Sequence, residues 1–244
     1  MSPRLTLATA RRVLLQLRAD HRTLVLMIAV PCVLLGMLAW IFDGTPVFDS
    51  VGAPFLGVFP FVVMFVITSV ATLRERSSGT LERLLSTPLG KGDFLGGYAL
   101  AFGALAVVQA LVATGFAIWV CGLDVAGPRS LLVVVAVTDA VLGTATGLFV
   151  SAFARTEFQA VQFMPAFVFP QFLLCGLLLP RDALPRALEL ASDVLPLSYA
   201  VDAMRTLTTQ ADAAGDVGRD VAIVASFVVA AVAAGSLTLR RRTP

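Results

Sequence analysis

Six stretches of this chain are long, apolar and almost free of charge, and they restrict its possible folds more than any other feature. A helix that crosses a hydrocarbon core about 30 Å thick needs roughly 20 residues, and lipid offers no hydrogen-bond partner to an irregular backbone. Charged residues make up 14% of the sequence, against about 25% in soluble domains. We therefore predict an all-α membrane protein with six transmembrane helices, at residues 24–42, 55–73, 94–123, 131–153, 158–179 and 221–239.

The basic residues are distributed unevenly between the two sides that these helices define. If the N-terminus is cytoplasmic, the outer segments hold Arg129, Arg181, Arg186, Arg205 and Arg219, and all other Lys and Arg residues lie inside. Cytoplasmic segments of membrane proteins carry the excess of Lys and Arg. We therefore predict that both termini are cytoplasmic, as an even number of spans requires.

Residues 1–23 precede the first predicted span and carry a helical pattern, with apolar residues on one face and arginines along its edge. The apolar set is Leu7, Ala10, Val13, Leu14 and Leu17, and the basic set is Arg4, Arg11, Arg18 and Arg22. We predict a helix that lies in the membrane interface, with its apolar stripe in the acyl boundary. A basic tail that only sets the topology is the alternative. We expect a retained first helix rather than a cleaved signal peptide, because the sequence lacks a short apolar core followed by an Ala-x-Ala cleavage site.

A short polar segment follows the second predicted span and reads Arg-Glu-Arg-Ser-Ser-Gly-Thr-Leu-Glu-Arg-Leu-Leu-Ser-Thr-Pro, residues 74–88. Leu81, Leu84 and Leu85 have the spacing of one helix face, and Pro88 ends the pattern. We predict a cytoplasmic amphipathic helix at about residues 77–88, too short to cross a bilayer. Because this helix is joined at both ends to transmembrane helices, a soluble partner that binds it could displace those helices. An ordinary loop helix resting on the membrane is the alternative.

Two motifs, in this order on six spans, give the chain a resemblance to a known family. The first is the segment 74–88. The second runs from Cys175-Gly176 through Leu179-Pro180 and Leu184-Pro185 to Leu195-Pro196-Leu197-Ser198-Tyr199. Together they resemble the type-2 permeases of ABC transporters, and most nearly the daunorubicin-resistance type. The likeness covers nearly the whole chain and divides it into an interfacial helix at 1–23 and a six-span permease domain at 24–244.

The resemblance implies a role for the short segment after the second span. In this family that segment, the coupling helix, docks in a groove of the ATPase (nucleotide-binding) subunit, and the leading interfacial helix approaches the same subunit. The implied ATPase contacts are Glu75, Arg76, Gly79, Thr80, Glu82, Arg83 and Leu84. The resemblance also implies short re-entrant helices on the outer side at about 180–208, marked by Gly176, Pro180, Pro185, Pro196 and Tyr199. Independently of the family, Asp182, Glu189 and Asp193 interrupt the apolar stripe there too often for a crossing segment.

An ATP-driven pump must bind phosphate, yet the chain carries no phosphate-binding loop, because the glycine spacing and the following Ser or Thr are missing around Lys91. ATP and Mg are therefore expected on a partner subunit. The resemblance implies two ATPase subunits with two permeases, either copies of this chain or paralogues. We expect no catalytic residue, no metal site and no cofactor on this chain. The net charge of +2 is too small to indicate nucleic-acid binding, and the expected setting is the lipid bilayer of a bacterial cytoplasmic membrane.

The translocation path is implied along the second and fifth spans, which line it in family members and are rich in Phe here. The predicted path residues are Phe59, Phe65, Asp139, Gln162, Phe163 and Phe167. Aromatic walls suit a hydrophobic or amphipathic cargo such as a drug-like molecule, a lipid or a glycolipid. Packing against lipid or between helices is the alternative for each Phe.

Polar and small residues inside the spans carry further predictions. Asp139 lies well inside the fourth span, where it is either a cargo or proton site or a structural residue. In the structural case we expect a hydrogen bond through Thr138, Gln109 or Gln162. Gly143 and Gly147 have the small-xxx-small spacing that permits close helix packing.

Two other function classes compete with this interpretation. An ion-driven secondary transporter usually carries several intramembrane charges and an internal repeat, whereas this sequence shows one deep carboxylate and no visible repeat. An intramembrane enzyme is less favoured still. The single histidine, His21, lies at a predicted membrane edge, and neither a Gly-x-Ser-x-Gly nor a His-Glu-x-x-His motif is present.

Overall fold

A computed structural model of the chain describes residues 2–77 and 90–238, and these residues form helices joined by short turns. The long helices are α1 (Pro3–Ala19), α2 (His21–Ile41), α3 (Val47–Ser77), α4 (Lys91–Trp119), α5 (Arg129–Ser151), α6 (Glu157–Leu174) and α9 (Ala214–Thr238). A 3₁₀ turn (Arg181–Ala183), α7 (Arg186–Asp193) and α8 (Pro196–Thr209) lie between α6 and α9. The predicted coupling helix at about 77–88 lies outside the described residues except for Ser77.

Five of the described helices are long and apolar enough to cross a membrane: His21–Ile41, Val47–Arg76, Gly92–Trp119, Arg129–Ser151 and Ala214–Thr238. They overlap the first, second, third, fourth and sixth predicted spans. The chain is therefore a multi-pass membrane protein, and its regular secondary structure within residues 2–77 and 90–238 is helical. The sequence placed the apolar cores of these helices correctly because length and hydropathy alone define a crossing helix.

The fifth predicted span, 158–179, is not among those five, so the count of six is not confirmed. Its helix, α6, has 18 residues and carries Glu157 and three glutamines. The predicted end at residue 179 is wrong, because the helix stops at Leu174. Gly176 follows with φ +91°, a left-handed conformation that glycine adopts at little cost.

Two other helices extend beyond their predicted ends. The predicted second span covered 55–73, whereas α3 runs over 31 residues and includes Pro54 and Pro60. The predicted sixth span began at 221, whereas α9 begins at Ala214 and includes the charged residues of its first turns. Hydropathy finds the part of a helix that lies in lipid and misses polar turns that continue it into water.

The centre of the fold is the contact between α3 and α5. A Cβ atom added at Gly147 would lie 2.6 Å from the carbonyl oxygen of Phe65, and one added at Gly143 would meet the carbonyl oxygen of Phe61. Only glycine permits this approach of the two backbones. The predicted close packing through Gly143 and Gly147 is confirmed.

The helices at the edge of the bundle leave apolar surface uncovered. Only 17% of the apolar window of α2 and 11% of that of α9 is buried, against 61% for α3 and for α5. In a multi-pass protein such faces contact lipid or another subunit. Among the five long apolar helices of the described residues, α2 and α9 have the most surface available for such contacts.

Candidate functional site

The first helix is held along the start of α4. The backbone N–H of Ser2 donates to Oδ1 of Asp93 at 2.6 Å, and the hydroxyl of Thr6 donates to the same oxygen at 3.2 Å. One turn further, Thr9 lies so close to Gly97 that a Cβ atom added there would be 2.5 Å from the Thr9 Cβ. The N-terminal half of α1 is thereby fixed to the first turns of α4.

The apolar stripe of α1 has a different environment from the one the sequence predicts. Ala10, Val13 and Leu17 are buried in the protein, and Leu7 is 63% exposed. Most of the stripe thus packs on neighbouring helices, and the position of α1 in the membrane interface stays a prediction. The cause is Gly97, whose missing side chain lets α1 approach α4 closely.

Asp93 also caps α4 from a position in its first turn. Its Oδ2 accepts a hydrogen bond from the backbone N–H of Gly90 at 3.2 Å. A carboxylate in the first turn is favoured by the partial positive charge of a helix N-terminus. Gly90 is the first described residue after the segment 78–89, so Asp93 connects the residue that follows this segment with α1.

A second contact connects α1 with the end of α3, immediately before the same segment. Arg12 forms an ion pair with Glu75, 2.6 Å between Nη1 and Oε1. Its Nη2 donates to the hydroxyl of Tyr98 on α4 at 3.3 Å. The Glu75 side chain is 14% exposed and that of Arg12 is 30% exposed. Charge-assisted hydrogen bonds with so little water access are stronger than those on an open surface.

The two arginines beside Glu75 extend these contacts to the next two helices. Arg74 donates to both carboxylate oxygens of Glu157 on α6, at 2.8 and 2.9 Å. This hydrogen bonding lowers the pKa of Glu157 below its usual value. Arg76 donates to the carbonyl oxygens of Ser151 and Ala152 at the end of α5, where carbonyl groups have no partner within the helix.

We call the set Arg12, Arg74, Glu75, Arg76 and Asp93 the junction. In sequence, Arg74, Glu75 and Arg76 precede the segment 78–89 and Asp93 follows it. Together with Arg12 these residues link α1, α3, α4, α5 and α6. Each of these contacts is a charge-assisted hydrogen bond between two elements of the fold.

The sequence predicted part of the junction. Glu75 and Arg76 were named as coupling residues and lie within it; their contact with an ATPase stays a prediction. Gly79, Thr80, Glu82, Arg83 and Leu84 fall outside the described residues. Arg12, Arg74 and Asp93 were missed, because their partners lie 63 to 91 residues away along the chain. Only Asp93 gave a local signal, as an acidic residue in the first turn of a helix.

The outer-side motif is organised by a residue that the sequence analysis did not select. Arg181 forms ion pairs with Asp193, at 2.5 Å, and with Asp202. Its guanidinium lies 5.2 Å from the ring centroid of Tyr199, whose hydroxyl donates to the backbone oxygen of Asp193 at 2.7 Å. Burial raises the pKa of Asp202 although Arg181 acts in the opposite direction.

The three predicted prolines of this motif all mark starts of short helices. Pro180 precedes the 3₁₀ turn, Pro185 precedes α7 and Pro196 is the first residue of α8. Proline suits these positions because it has no backbone N–H to leave unpaired. Ser192 then donates to the Leu174 carbonyl at 2.9 Å and fastens α7 to the end of α6. Whether these helices re-enter the membrane stays a prediction.

The predicted path residues are divided between the interior and the surface of the subunit. Phe65 is fully buried beside α5, whereas Gln162 is exposed and Phe167 is 39% exposed on α6. Phe163 and Phe167 form an edge-to-face pair with centroids 6.3 Å apart, and Phe59 lies 5.1 Å from the ring of Phe55. An exposed α6 face is available to a cargo or to a second subunit, and the path remains a prediction.

Asp139 is fully buried, and within residues 2–77 and 90–238 neither of its carboxylate oxygens has a hydrogen-bond partner. The predicted structural partners are wrong. Thr138 donates to its own helix at Val134, as hydroxyls in helices commonly do. Gln109 donates to the Met27 carbonyl on α2 at 2.8 Å, and Gln162 faces outward.

What lies against Asp139 is a small residue. A Cβ atom added at Gly57 would be 3.0 Å from its Oδ2, so the carboxyl group fills the space that this glycine leaves on α3. In the part of the chain that the structure describes, no group of three or more His, Cys, Asp or Glu side chains is placed to hold a metal ion. Asp139 thus belongs to no such group among the described residues.

Comparison with known proteins gives one family and several relatives. A sequence model of the ABC-2 type transporter family matches residues 4–208. The ABC transporter G family member 20 of Dictyostelium discoideum is 30% identical over 141 residues, 58% of this chain and 19% of that protein. The probable multidrug ABC transporter permease YbhR of Escherichia coli (strain K12) is 28% identical over 139 residues, 57% of this chain and 38% of that protein.

A third relative is similar over a longer part of the chain. The linearmycin resistance permease protein LnrN of Bacillus subtilis (strain 168) is 25% identical over 182 residues, which is 74% of this chain and 47% of that protein. In all three cases the match spans less than half of the relative's own length.

Proposed function

The chain belongs to the ABC-2 type transporter family, and on that premise we propose that it is the membrane-spanning subunit of an ATP-driven exporter. Its cargo is a hydrophobic or amphipathic molecule, such as a drug-like compound, a lipid or a glycolipid. Two relatives are named as a multidrug permease and a linearmycin resistance permease, which supports this class of cargo. The energy comes from a separate ATPase subunit, which binds ATP and Mg.

The observation that carries this proposal is the junction. The ATPase docks on the coupling helix through Gly79, Thr80, Glu82, Arg83 and Leu84. Its motion on binding and hydrolysing ATP displaces the end of α3. The ion pair of Arg12 with Glu75 then moves α1, while Arg74 and Arg76 move the adjoining ends of α6 and α5. A rotation of these helices opens the path alternately to the two sides of the membrane.

The complete transporter contains two permeases and two ATPase subunits in a bacterial cytoplasmic membrane, with the permease termini on the cytoplasmic side. The largely uncovered faces of α2 and α9 support the presence of a second permease. Both permeases are copies of this chain, or one is a paralogue. The ATPase is sought first in the neighbouring reading frame, since subunits of one complex are commonly encoded together.

The proposal is tested by transport of a lipophilic fluorescent dye into inverted vesicles that contain the permease with its ATPase. We expect Glu82→Ala or Gly79→Pro to lower ATP-driven transport at least tenfold while the permease still inserts into the membrane. Proline removes a hydrogen bond in the docking helix, and alanine removes a charged contact.

Two outcomes would contradict the proposal. Unchanged transport in both variants would remove these residues from coupling. Transport by the permease alone, driven by an ion gradient and independent of the ATPase, would favour a secondary transporter, for which the buried Asp139 is the candidate ion site. The matched control combines an inactive ATPase variant with the intact permease. This combination abolishes transport if the transport is ATP-driven and leaves it unchanged if it is driven by an ion gradient.

A further inference from the structure

The packing seam between α3 and α5 extends beyond its two glycine contacts to Asp139. Positions four apart on α3 meet positions four apart on α5, and the pairs are Gly57–Asp139, Phe61–Gly143 and Phe65–Gly147. In the last two pairs the glycine lies on α5 and the backbones touch. In the first pair the glycine lies on α3, and the carboxyl group of Asp139 fills the space beside it. Asp139 is therefore the one polar side chain of these three pairs.

The carboxyl group of Asp139 has apolar surroundings. The residue is 0% exposed, and within residues 2–77 and 90–238 neither of its oxygens has a hydrogen-bond partner. In the same part of the chain it belongs to no ion pair with an N–O distance of 4.0 Å or less. The next side chain at Gly57 is that of Met204 on α8, 3.8 Å from a Cβ atom added there. A negative charge on Asp139 would thus have no nearby compensation.

The titratable groups nearest to Asp139 lie beyond the end of α6. Cys175, which is buried there, interacts electrostatically with Asp139 and with Asp202 on α8. Asp202 is paired with Arg181 and acts in turn on Asp220 of α9. The other charged residues of α5 and of the helices packed against it are Asp49, Arg74, Glu75, Arg76, Lys91, Asp93, Arg129, Glu157, Arg205, Asp216 and Arg219.

An ionised carboxylate enclosed in this way is very unfavourable, whereas the protonated group loses only the hydrogen bonds of a neutral group. The difference exists only while α3 and α5 are in contact, because parting the helices admits water to the carboxyl group. The contact at Gly57 and the protonation of Asp139 therefore favour each other.

We propose that Asp139 is a proton-binding site of the α3–α5 seam, and that the seam closes at this level only with the proton bound. When the helices part, the carboxyl O–H gives its proton to water, and when they close, the carboxylate takes a proton back. The site does not rest on the proposed function. In an exporter that parts α3 from α5 in each cycle, each permease would release and rebind one proton here.

Infrared difference spectroscopy on the full chain detects the proton. A protonated carboxyl group has a C=O stretch that an ionised one lacks, and without a hydrogen bond this stretch lies at the upper end of its range. Dodecyl maltoside is the detergent, because it has no ester carbonyl to overlap with the band. At neutral pH we expect the band in the unmodified chain and its loss in Asp139→Asn. Asp43→Asn removes an exposed carboxyl group and should leave the band unchanged.

Opening of the seam is measured through a thiol placed next to Gly57. Val58 is buried in one cluster with Leu142 of α5, so the thiol of Val58→Cys reacts with a water-soluble methanethiosulfonate only when the packing opens. Mass spectrometry of peptides separates this reaction from those of the native cysteines. Because the closed seam holds a proton that the open seam releases, raising the pH favours the open seam.

The expected result is a ratio of labelling rates. The rate in Val58→Cys divided by that in the same variant with Asp139→Asn should rise by up to about tenfold per pH unit, the limit for one proton. The ratio cancels the pH dependence of the thiol itself. With Asp43→Asn in place of Asp139→Asn, the ratio should not change with pH.

Two results would overturn the proposed site: a carboxyl band that Asp139→Asn leaves unchanged, or a labelling ratio that does not depend on pH. If Asp139→Asn fails to fold, Gly57→Ala decides, since its Cβ atom would lie 3.0 Å from Oδ2 and should shift the band. Gly103→Ala is its control, because a Cβ atom there meets nothing within 4 Å. A band that Gly57→Ala does not shift would then contradict the proposal. No readout needs the ATPase, so this site and the exporter fail separately.

Discussion

At the scale of single residues, the chain connects distant parts of its sequence through a few charged side chains. Arg12 joins α1 to α3 and α4, and Arg181 joins the helices that follow α6. Both are arginines, whose planar head can bond several acceptors at fixed angles. Replacing either one therefore disturbs more than one helix.

The contribution of Arg12 is tested against its neighbour in sequence. Arg12→Ala removes a partly buried ion pair and a bond to Tyr98, and we expect a loss of about 1–2 kcal/mol in the free energy of unfolding. ATP-driven dye transport should fall by more than the amount of folded protein does. Arg11 is exposed on the same helix, so Arg11→Ala is the control. Equal effects of the two variants on transport would show that the contact with Glu75 has no part in coupling.

At the scale of helices, the contact between α3 and α5 determines whether the bundle forms. Gly143 and Gly147 allow the backbones to touch, and no larger residue fits there without separating the helices. The same principle fixes α1 to α4 at Gly97. Close backbone approach through small residues is a main source of stability between helices in lipid.

Gly147→Leu tests this contact. The new side chain would meet the Phe65 backbone, and we expect a loss of about 3 kcal/mol or more, with the melting temperature in detergent lowered by roughly 5 °C or more. Gly103→Leu is the matched control, because a Cβ atom at Gly103 meets no other atom within 4 Å. A melting temperature of Gly147→Leu equal to that of Gly103→Leu would contradict the account of α3–α5 packing.

The sequence was sufficient to predict features that depend on local composition. Hydropathy located the five crossing helices, and the spacing of Gly143 and Gly147 indicated their close packing. Features that depend on distant partners could not be predicted in this way. In sequence, nothing distinguishes Arg12 from the other arginines of α1, because its partner Glu75 is brought close only by the fold. The surroundings of Asp139 likewise depend on the space that Gly57 leaves on another helix.

At the scale of the whole molecule, the proposed assembly with an ATPase and a second permease rests on the junction and on the uncovered faces of α2 and α9. Four of the five junction residues flank in sequence the segment on which the proposed ATPase acts, and the apolar faces are available to lipid or to a second permease. The central claim is that mechanical work enters the membrane bundle between α3 and α4.

A photoreactive amino acid placed at Leu84 in the assembled permease–ATPase complex tests this claim most directly. The account predicts a cross-link from Leu84 to the ATPase whose yield changes when ATP is added, and none from the same group placed at Trp40, which is exposed at the far end of α2. Cross-links from Leu84 to lipid or permease alone, in a complex that still contains its ATPase, would contradict the account.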